Sequence, residues 1–232
     1  MGFGVIIPAA GQGKRMNSDI NKQYLKLMGL PILVHTLSLF VNHPEIIQII
    51  IVVHKDEVDY CRLNIAKEYF DNKNIKIVAG GKTRRESVYA GLKVFSSALD
   101  YVIIHDGARP LLSRDILDKV IETVKIEKAV TVGNKLKDTI KKVDVNNNVI
   151  KTPDRKDFVA VQTPQAFFYD LIMEAHQSVP KDAVVTDDAS LLEYKNCKVK
   201  VIESTYENIK ITTPIDMIIA EGILKVRKEK SK

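Results

Sequence analysis

Residues 5–16, VIIPAAGQGKRM, decide how this 232-residue chain is to be read. The apolar run Val5, Ile6, Ile7 breaks at Pro8 into the small residues Ala9, Ala10, Gly11 and Gly13, with the cations Lys14 and Arg15 behind them. A short apolar run bounded by such a turn predicts a buried strand whose carboxyl end opens into a loop. Small residues let backbone N–H groups approach a ligand closely, and the cations set positive charge beside them, which suits a polyphosphate. A P-loop is excluded because Arg15, not serine or threonine, follows Gly13-Lys14; a dinucleotide fingerprint is excluded because Met16 occupies the place of its third small residue. Lys22, in Asn21-Lys22-Gln23-Tyr24, supplies a further cation that can close with Arg15 over a triphosphate. The same stretch also reads as a glycine turn flanked by solvated basic residues.

Working outward, apolar segments of strand length recur at 46–53, 75–78, 101–104, 129–132 and 199–202, and helical spacing of apolar residues fills 31–41, 55–70, 84–98 and 113–126. Continuous rather than alternating apolar strands imply a sheet covered on both faces, so the expectation is a three-layer α/β fold with a mostly parallel, Rossmann-like sheet. Ligands on such sheets bind beyond the carboxyl ends of the strands. The residues standing there are Pro8-Ala9-Ala10-Gly11, Gly80-Gly81 and His105-Asp106-Gly107-Ala108-Arg109-Pro110. Gly80-Gly81 also precedes a helix, predicting a second backbone site that favours anions or contacts a base.

Residues 134–158 break the rhythm. They are highly polar, and Asn146-Asn147-Asn148 predicts the turn of a hairpin with too little apolar surface for a core. Such a hairpin is marginal alone, so it is expected either as an arm that clasps a second subunit or as a mobile surface excursion. Beyond it, residues 161–167 predict a strand leading into a proline-started helix, Thr186 predicts an N-cap, and residues 208–216 predict a short strand before a last helix started by Pro214. Lys210 lies among apolar neighbours there and is expected to have an ionic partner.

The length suits one domain spanning 1–232, with an ordinary 45% hydrophobic and 28% charged residues. A net charge of +6 is modest, and part of it is the basic tail at 225–232. Cys61 and Cys197 form no CxxC pair and the five histidines have no metal-ligand spacing, so no metal-binding side chains are expected. With no membrane-length apolar run, signal-peptide core or stacking cluster of aromatics, the expectation is a cytoplasmic protein that binds neither membrane nor nucleic acid.

Taken together and in order, PAAGQGKRM (8–16), NKQY (21–24), GGKTRRESVYAGL (80–92), HDGARP (105–110), KDTIK (137–141), the Asp154-Arg155 pair, TPQAF (163–167), TDDASLLEY (186–194) and NIKITTPID (208–216) resemble the 2-C-methyl-D-erythritol 4-phosphate cytidylyltransferases over nearly the whole chain. The resemblance implies transfer of CMP from CTP to methylerythritol phosphate with release of pyrophosphate, Mg2+ being bound mainly through the CTP phosphates. By position it implies Arg15 and Lys22 as catalytic cations. Pro8, Ala9, Ala10, Gly11, Gly13 and Lys14 would wrap the phosphates, and Gly80, Gly81, Lys82, Ser87 and Gly107 would hold cytosine and ribose. Asp106, Arg109, Thr163, Thr186 and Lys210 would hold the second substrate, with Thr139 and Arg155 reaching in on the swapped arm of a homodimer. Three positions depart from the family pattern: Asn21 replaces a usual proline, Lys82 a common acidic residue, and Gly107 an alanine. The rival readings are a ribitol 5-phosphate cytidylyltransferase, which shares the triphosphate loop, and a catalytically inactive nucleotide-binding regulator.

Overall fold

The computed structural model describes residues 2–11, 21–71, 74–95, 99–180 and 182–230. Seven strands form the main sheet: β1 (Phe3–Pro8), β2 (Ile46–Val53), β3 (Ile75–Ala79), β4 (Tyr101–Ile104), β5 (Ala129–Lys135), β6 (Val159–Phe168) and β7 (Lys200–Glu203), in the spatial order β7-β5-β6-β4-β1-β2-β3. Neighbours pair in parallel except β6, which runs antiparallel to both β4 and β5. The predicted mostly parallel α/β architecture is therefore present.

Alternation within the apolar strands builds two cores. Phe3, Val5 and Ile7 of β1, Ile49, Ile51 and Val53 of β2, and Tyr101 and Ile103 of β4 face one way, against α1 (Ile32–Val41) and an amphipathic helix over Arg114–Glu127. Ile6, Ile50, Val52, Val102 and Ile104 face the other way, against α2 (Arg84–Leu92), α4 (Tyr169–Ser178) and α5 (Asp188–Glu193), the Arg114–Glu127 helix being α3. Successive strand residues point to opposite faces, so runs that read as continuously apolar serve both layers, each fully buried side chain contributing about 1.5 to 3 kcal/mol. A smaller cluster of Leu27, Ile32, Leu111, Ile211 and Ala220 seats α6 (Pro214–Lys230).

Several local expectations need correction. Pro164 lies inside β6, at the register shift between Gln162 and Gln165 and after a cis Thr163–Pro164 bond; α4 begins only at Tyr169, with no proline. The bulge lets the strand accept a residue that has no N–H to donate. Residues 208–213 are not a strand; Ile211 is held by a single backbone bond, from its N–H to the carbonyl of Ala108 (2.8 Å). The N-cap of α5 is Asp187, whose carboxylate accepts from the N–H of Ser190 (3.0 Å), and Thr186 is exposed one residue earlier. The helical stretch expected at 84–98 ends at Leu92, and the one at 55–70 is split between 3-10, α and π turns.

The hairpin at 134–158 forms where it was expected. Its strands, Lys142–Val143 and Val149–Lys151, continue outward from paired β5 and β6. Asp144 accepts from the N–H groups of Asn146 (2.9 Å) and Asn148 (2.8 Å), and Asn147 takes the left-handed conformation the turn requires.

Candidate active site

The carboxyl ends of β1 and β4, the loop before α2 and the segment before α6 converge on two adjoining cavities of about 220 and 280 Å³. Pro8, Ala9, Ala10, Gly11, Lys22, Gly81, Lys82, Ser87 and Gly107 line the first, together with Asp106 and Lys210. Asp106, Arg109, Thr163, Thr186 and Lys210 line the second. Gly80 lies just behind the first, where a Cβ would meet Ser87 Oγ at 2.6 Å and the Ala10 Cβ at 3.0 Å; only glycine fits so close a backbone approach. Thr139 and Arg155 line neither cavity of their own chain; both are exposed on the arm, where the Arg155 guanidinium donates to the carbonyl of Lys137. Gly13, Lys14 and Arg15 lie outside the described residues.

The walls differ in chemistry. Gln23, not anticipated, is buried and donates through Nε2 to the Ala9 carbonyl (2.8 Å), tying the turn after β1 to the Lys22 segment. Lys22 Nζ donates to the carbonyl of Ile211 (3.1 Å), which fixes its ammonium at the mouth of the first cavity. Asn21, in place of the usual proline, holds φ at −57°, the value a proline ring would impose, so the departure leaves the backbone course unchanged. At Gly107 a Cβ would stand 3.2 to 3.3 Å from side-chain carbons of Ala9, Ile7 and Leu33, so glycine relieves crowding there.

The loop before α2, where the sequence left open an anion or a base, has its N–H groups engaged within the chain. Gly80 N–H donates to Val53 O (2.8 Å), Gly81 N–H to Ser87 Oγ (3.2 Å), and Lys82 and Thr83 N–H to Glu86 Oε2 (2.6 and 3.2 Å), while Glu86 N–H returns to Thr83 Oγ1 (3.1 Å). This is a complete capping box, and it satisfies internally the donors that an anion would have needed.

The wall between the cavities is a charged network around Asp106. Its Oδ2 meets Lys210 Nζ at 2.6 Å, the partner the sequence called for, and Oδ1 meets Arg84 Nε at 3.4 Å; Arg109 Nε is 4.0 Å away. Arg84 also pairs with buried Asp188 (Nη2 to Oδ2, 2.7 Å). Burial raises the Asp106 carboxyl, but Arg84, Lys210 and Arg109 outweigh it and hold the group well below the usual carboxylate range. Arg84 remains a cation: burial alone lowers its pKa, but Asp188 and Asp106 drive it above the ordinary arginine value. Thr163 Oγ1 accepts the N–H of Asp106 (3.0 Å) and Arg109 Nη1 donates to Asn208 O (2.7 Å), so both are anchored from β6 and the segment before α6.

Sequence reasoning passed over Arg84, although a signal was there. A cation in the first turn of a helix opposes the macrodipole, and two successive arginines at 84 and 85 imply waiting partners. Arg84 has its carboxylates, and Arg85 donates to the carbonyls of Val179 (2.5 Å) and Pro180 (2.7 Å) beyond α4. Gln165, also overlooked, accepts at Oε1 from the N–H groups of Asp188 (3.0 Å) and Ala189 (3.1 Å) and donates to Asp187 (2.6 Å).

Two buried histidines stand beside this network. Burial, helped by nearby arginines, pushes His176 down to about 4; burial together with the Arg109 and Lys210 charges does the same for His105, also to about 4. Between the unfolded value of 6.5 and about 4 the unfolded chain binds more protons, so stability is expected to fall as pH drops through that window. His176→Phe, which keeps the stack on Tyr89 and abandons no hydrogen bond, is expected to make the fall shallower in thermal melts between pH 7 and 4.5. An unchanged slope would place the acid sensitivity elsewhere.

For a metal, the donor set is decisive. Among the described residues no group of three or more His, Cys, Asp or Glu side chains could hold an ion, and Asp106, the one carboxylate in the first cavity, faces Lys210 and Arg84. These residues fit Mg2+ only as a companion of triphosphate oxygens. No helix among the described residues is long and apolar enough to cross a membrane.

A mostly parallel α/β sheet whose strand ends open on two adjoining, cation-lined cavities defines a nucleotidyltransferase of Rossmann-like type. Residues 3–226 match the family described as IspD, 2-C-methyl-D-erythritol 4-phosphate cytidylyltransferase, and the chain belongs to it. The enzyme of that name from Alkaliphilus oremlandii is 49% identical over 97% of this chain and 96% of its own; that from Clostridioides difficile is 44% identical over 97% and 95%. Among solved structures, 4-diphosphocytidyl-2C-methyl-D-erythritol synthase from Anaerococcus prevotii superposes with a TM-score of 0.86 at 37% identity, covering 97% of this chain and 96% of that one.

Proposed function

We propose that the chain transfers CMP from CTP to 2-C-methyl-D-erythritol 4-phosphate, giving 4-diphosphocytidyl-2-C-methyl-D-erythritol and pyrophosphate for isoprenoid precursor synthesis. The observation that carries this reading is the pair of cavities sharing Arg84, Asp106 and Lys210 as one wall: a nucleotide in the first and a sugar phosphate in the second bring two phosphates to a common boundary. The acceptor phosphate oxygen attacks the α-phosphorus, the bond to the β-phosphate oxygen breaks, and pyrophosphate carries away the electron pair. No side-chain nucleophile is needed; holding two polyanions in line and neutralising their charge is the catalytic task.

In this reading the small-residue turn after β1 cradles the triphosphate with Arg15 and Lys22 across it, and Lys22 lies beside the leaving oxygen. Bound Mg2+ supplies further charge neutralisation on the triphosphate. The internally capped Gly80–Gly81 loop suits cytosine, whose exocyclic amine donates a hydrogen bond where the loop's own N–H groups are already engaged. Asp106 accepts from a hydroxyl of the sugar alcohol, and Lys210, Arg109, Thr163 and Thr186 hold its chain and phosphate.

The arm completes the second cavity from a partner copy in a homodimer. Supporting this, Val145, Val149, Ile150 and Phe158 leave apolar surface exposed along it, and its Thr139 and Arg155 line neither cavity of their own chain. Arg155→Ala is expected to raise KM for the sugar phosphate well above any change in KM for CTP; equal changes would remove the arm from the second site.

Pyrophosphate release from CTP, followed with methylerythritol phosphate, with ribitol 5-phosphate and with neither, tests the reading. Release with the first acceptor alone is expected. Preference for ribitol 5-phosphate would reassign the acceptor, and no acceptor-dependent release at all would point to a regulator that has lost catalysis.

A further inference from the structure

Asp188 is 1% exposed and lines neither cavity, yet its carboxylate is 2.7 Å from Arg84, which lines both. A buried charge of this kind is costly unless it is paired, and Arg84 is the partner the fold supplies. Gln165 in β6 receives the backbone N–H of Asp188, and Arg84 leaves α2 at its first residue, locked by the capping box of Thr83 and Glu86. The bond from Arg84 to Asp106 is the longer of its two, 3.4 Å against 2.7 Å. Without Asp188 the guanidinium would be free to turn onto Asp106 or toward the phosphates of a nucleotide in the first cavity.

We propose that Asp188 is a positioning residue for acceptor specificity: it holds Arg84 in the shared wall, and Arg84 in turn sets the Asp106 carboxylate toward the polyol in the second cavity. Three cations, Arg84, Arg109 and Lys210, surround Asp106, and one carboxylate cannot orient toward all of them and also toward a hydroxyl. With Asp188 taking the main share of Arg84, Asp106 keeps Lys210 at 2.6 Å and only a light contact to Arg84, which leaves lone pairs facing the acceptor. Asp188 touches no substrate in this arrangement, and the inference rests on the acceptor reading above.

The test is steady-state kinetics of full-length Asp188→Asn, a change of one atom that keeps the size and an acceptor oxygen. KM for methylerythritol phosphate is expected to rise on the order of tenfold while KM for CTP stays within about twofold, because only the acceptor side loses its alignment. Asp188→Glu, which restores the charge on a longer stem, is expected to recover part of the loss. A uniform fall in kcat with both KM values unchanged, or no change at all in a wild-type enzyme that is active, would overturn the proposal. A lower KM for CTP would show that Arg84 is released to the nucleotide and acts there instead. If the asparagine variant does not fold, Arg84→Lys carries the test, since lysine keeps the charge but cannot span both carboxylates, and the same skew toward the acceptor KM is required of it. Failure of the acceptor reading itself is recognised separately, by a wild-type enzyme inactive with methylerythritol phosphate.

Discussion

Alanine at Lys22 is expected to lower kcat by a factor on the order of 10² or more while leaving the folded state intact. The ammonium sits at the mouth of the first cavity, held by the carbonyl of Ile211 at 3.1 Å. A donor fixed there needs no reorganisation as negative charge builds on the departing pyrophosphate. Its removal is expected to cost little stability, because the charge of a partly exposed lysine is screened by solvent. Turnover close to wild type, measured by pyrophosphate release at saturating CTP, would exclude the role. Arg15→Ala is expected to lower kcat similarly.

Asparagine at Asp106 is expected to act on both stability and acceptor binding. The substitution leaves Arg84, Lys210 and Arg109 around a neutral side chain in a largely buried wall. Breaking a buried network by removing one partner costs on the order of 3 kcal/mol, visible as a lower denaturant midpoint. The carboxyl of Asp106 is depressed in the folded protein, so its contribution is present above the unfolded value of 3.8 and lost as pH falls below it. Asp106→Asn is therefore expected to be less stable at neutral pH but to lose less on acidification below pH 4. KM for methylerythritol phosphate is expected to rise at least tenfold, an accepting carboxylate having become an amide that also donates. Unaltered acceptor kinetics would separate Asp106 from the second substrate.

Much of the architecture was legible because hydrophobic runs are local. Five of the six predicted apolar strands fall within one residue of the observed start, and the loop after β1 lies where an apolar run meets small residues. The errors arose where one residue type has two uses. Pro164 signals a helix start or a bulged strand, and only pairing of β6 with β5 and β4 selects the second. Thr186 and Asp187 are both good caps, and Gln165, reaching from another element, favours Asp187 by holding its carboxylate. Of the two uses the sequence left open at Gly80 and Gly81, an anion or a base, the first is closed because Glu86 and Ser87 reach back along the first turn of α2 to take its donors.

By itself, the sequence determined the fold class, the family, the hairpin and the two stretches, 8–11 and 105–109, that meet at the strand ends, since each depends on composition and order along a short segment. Tertiary structure decided what the charges do. The pairing of Lys210 and Arg84 with Asp106, and of Arg84 with Asp188, joins residues separated by 22 to 104 positions through the packing of α2, α5 and β4, and a pattern of residue types carries no distance between them. A carboxylate becomes a binding group, a structural anchor or a solvated surface charge according to which cations folding brings within about 3 Å of it, and that proximity exists only in three dimensions.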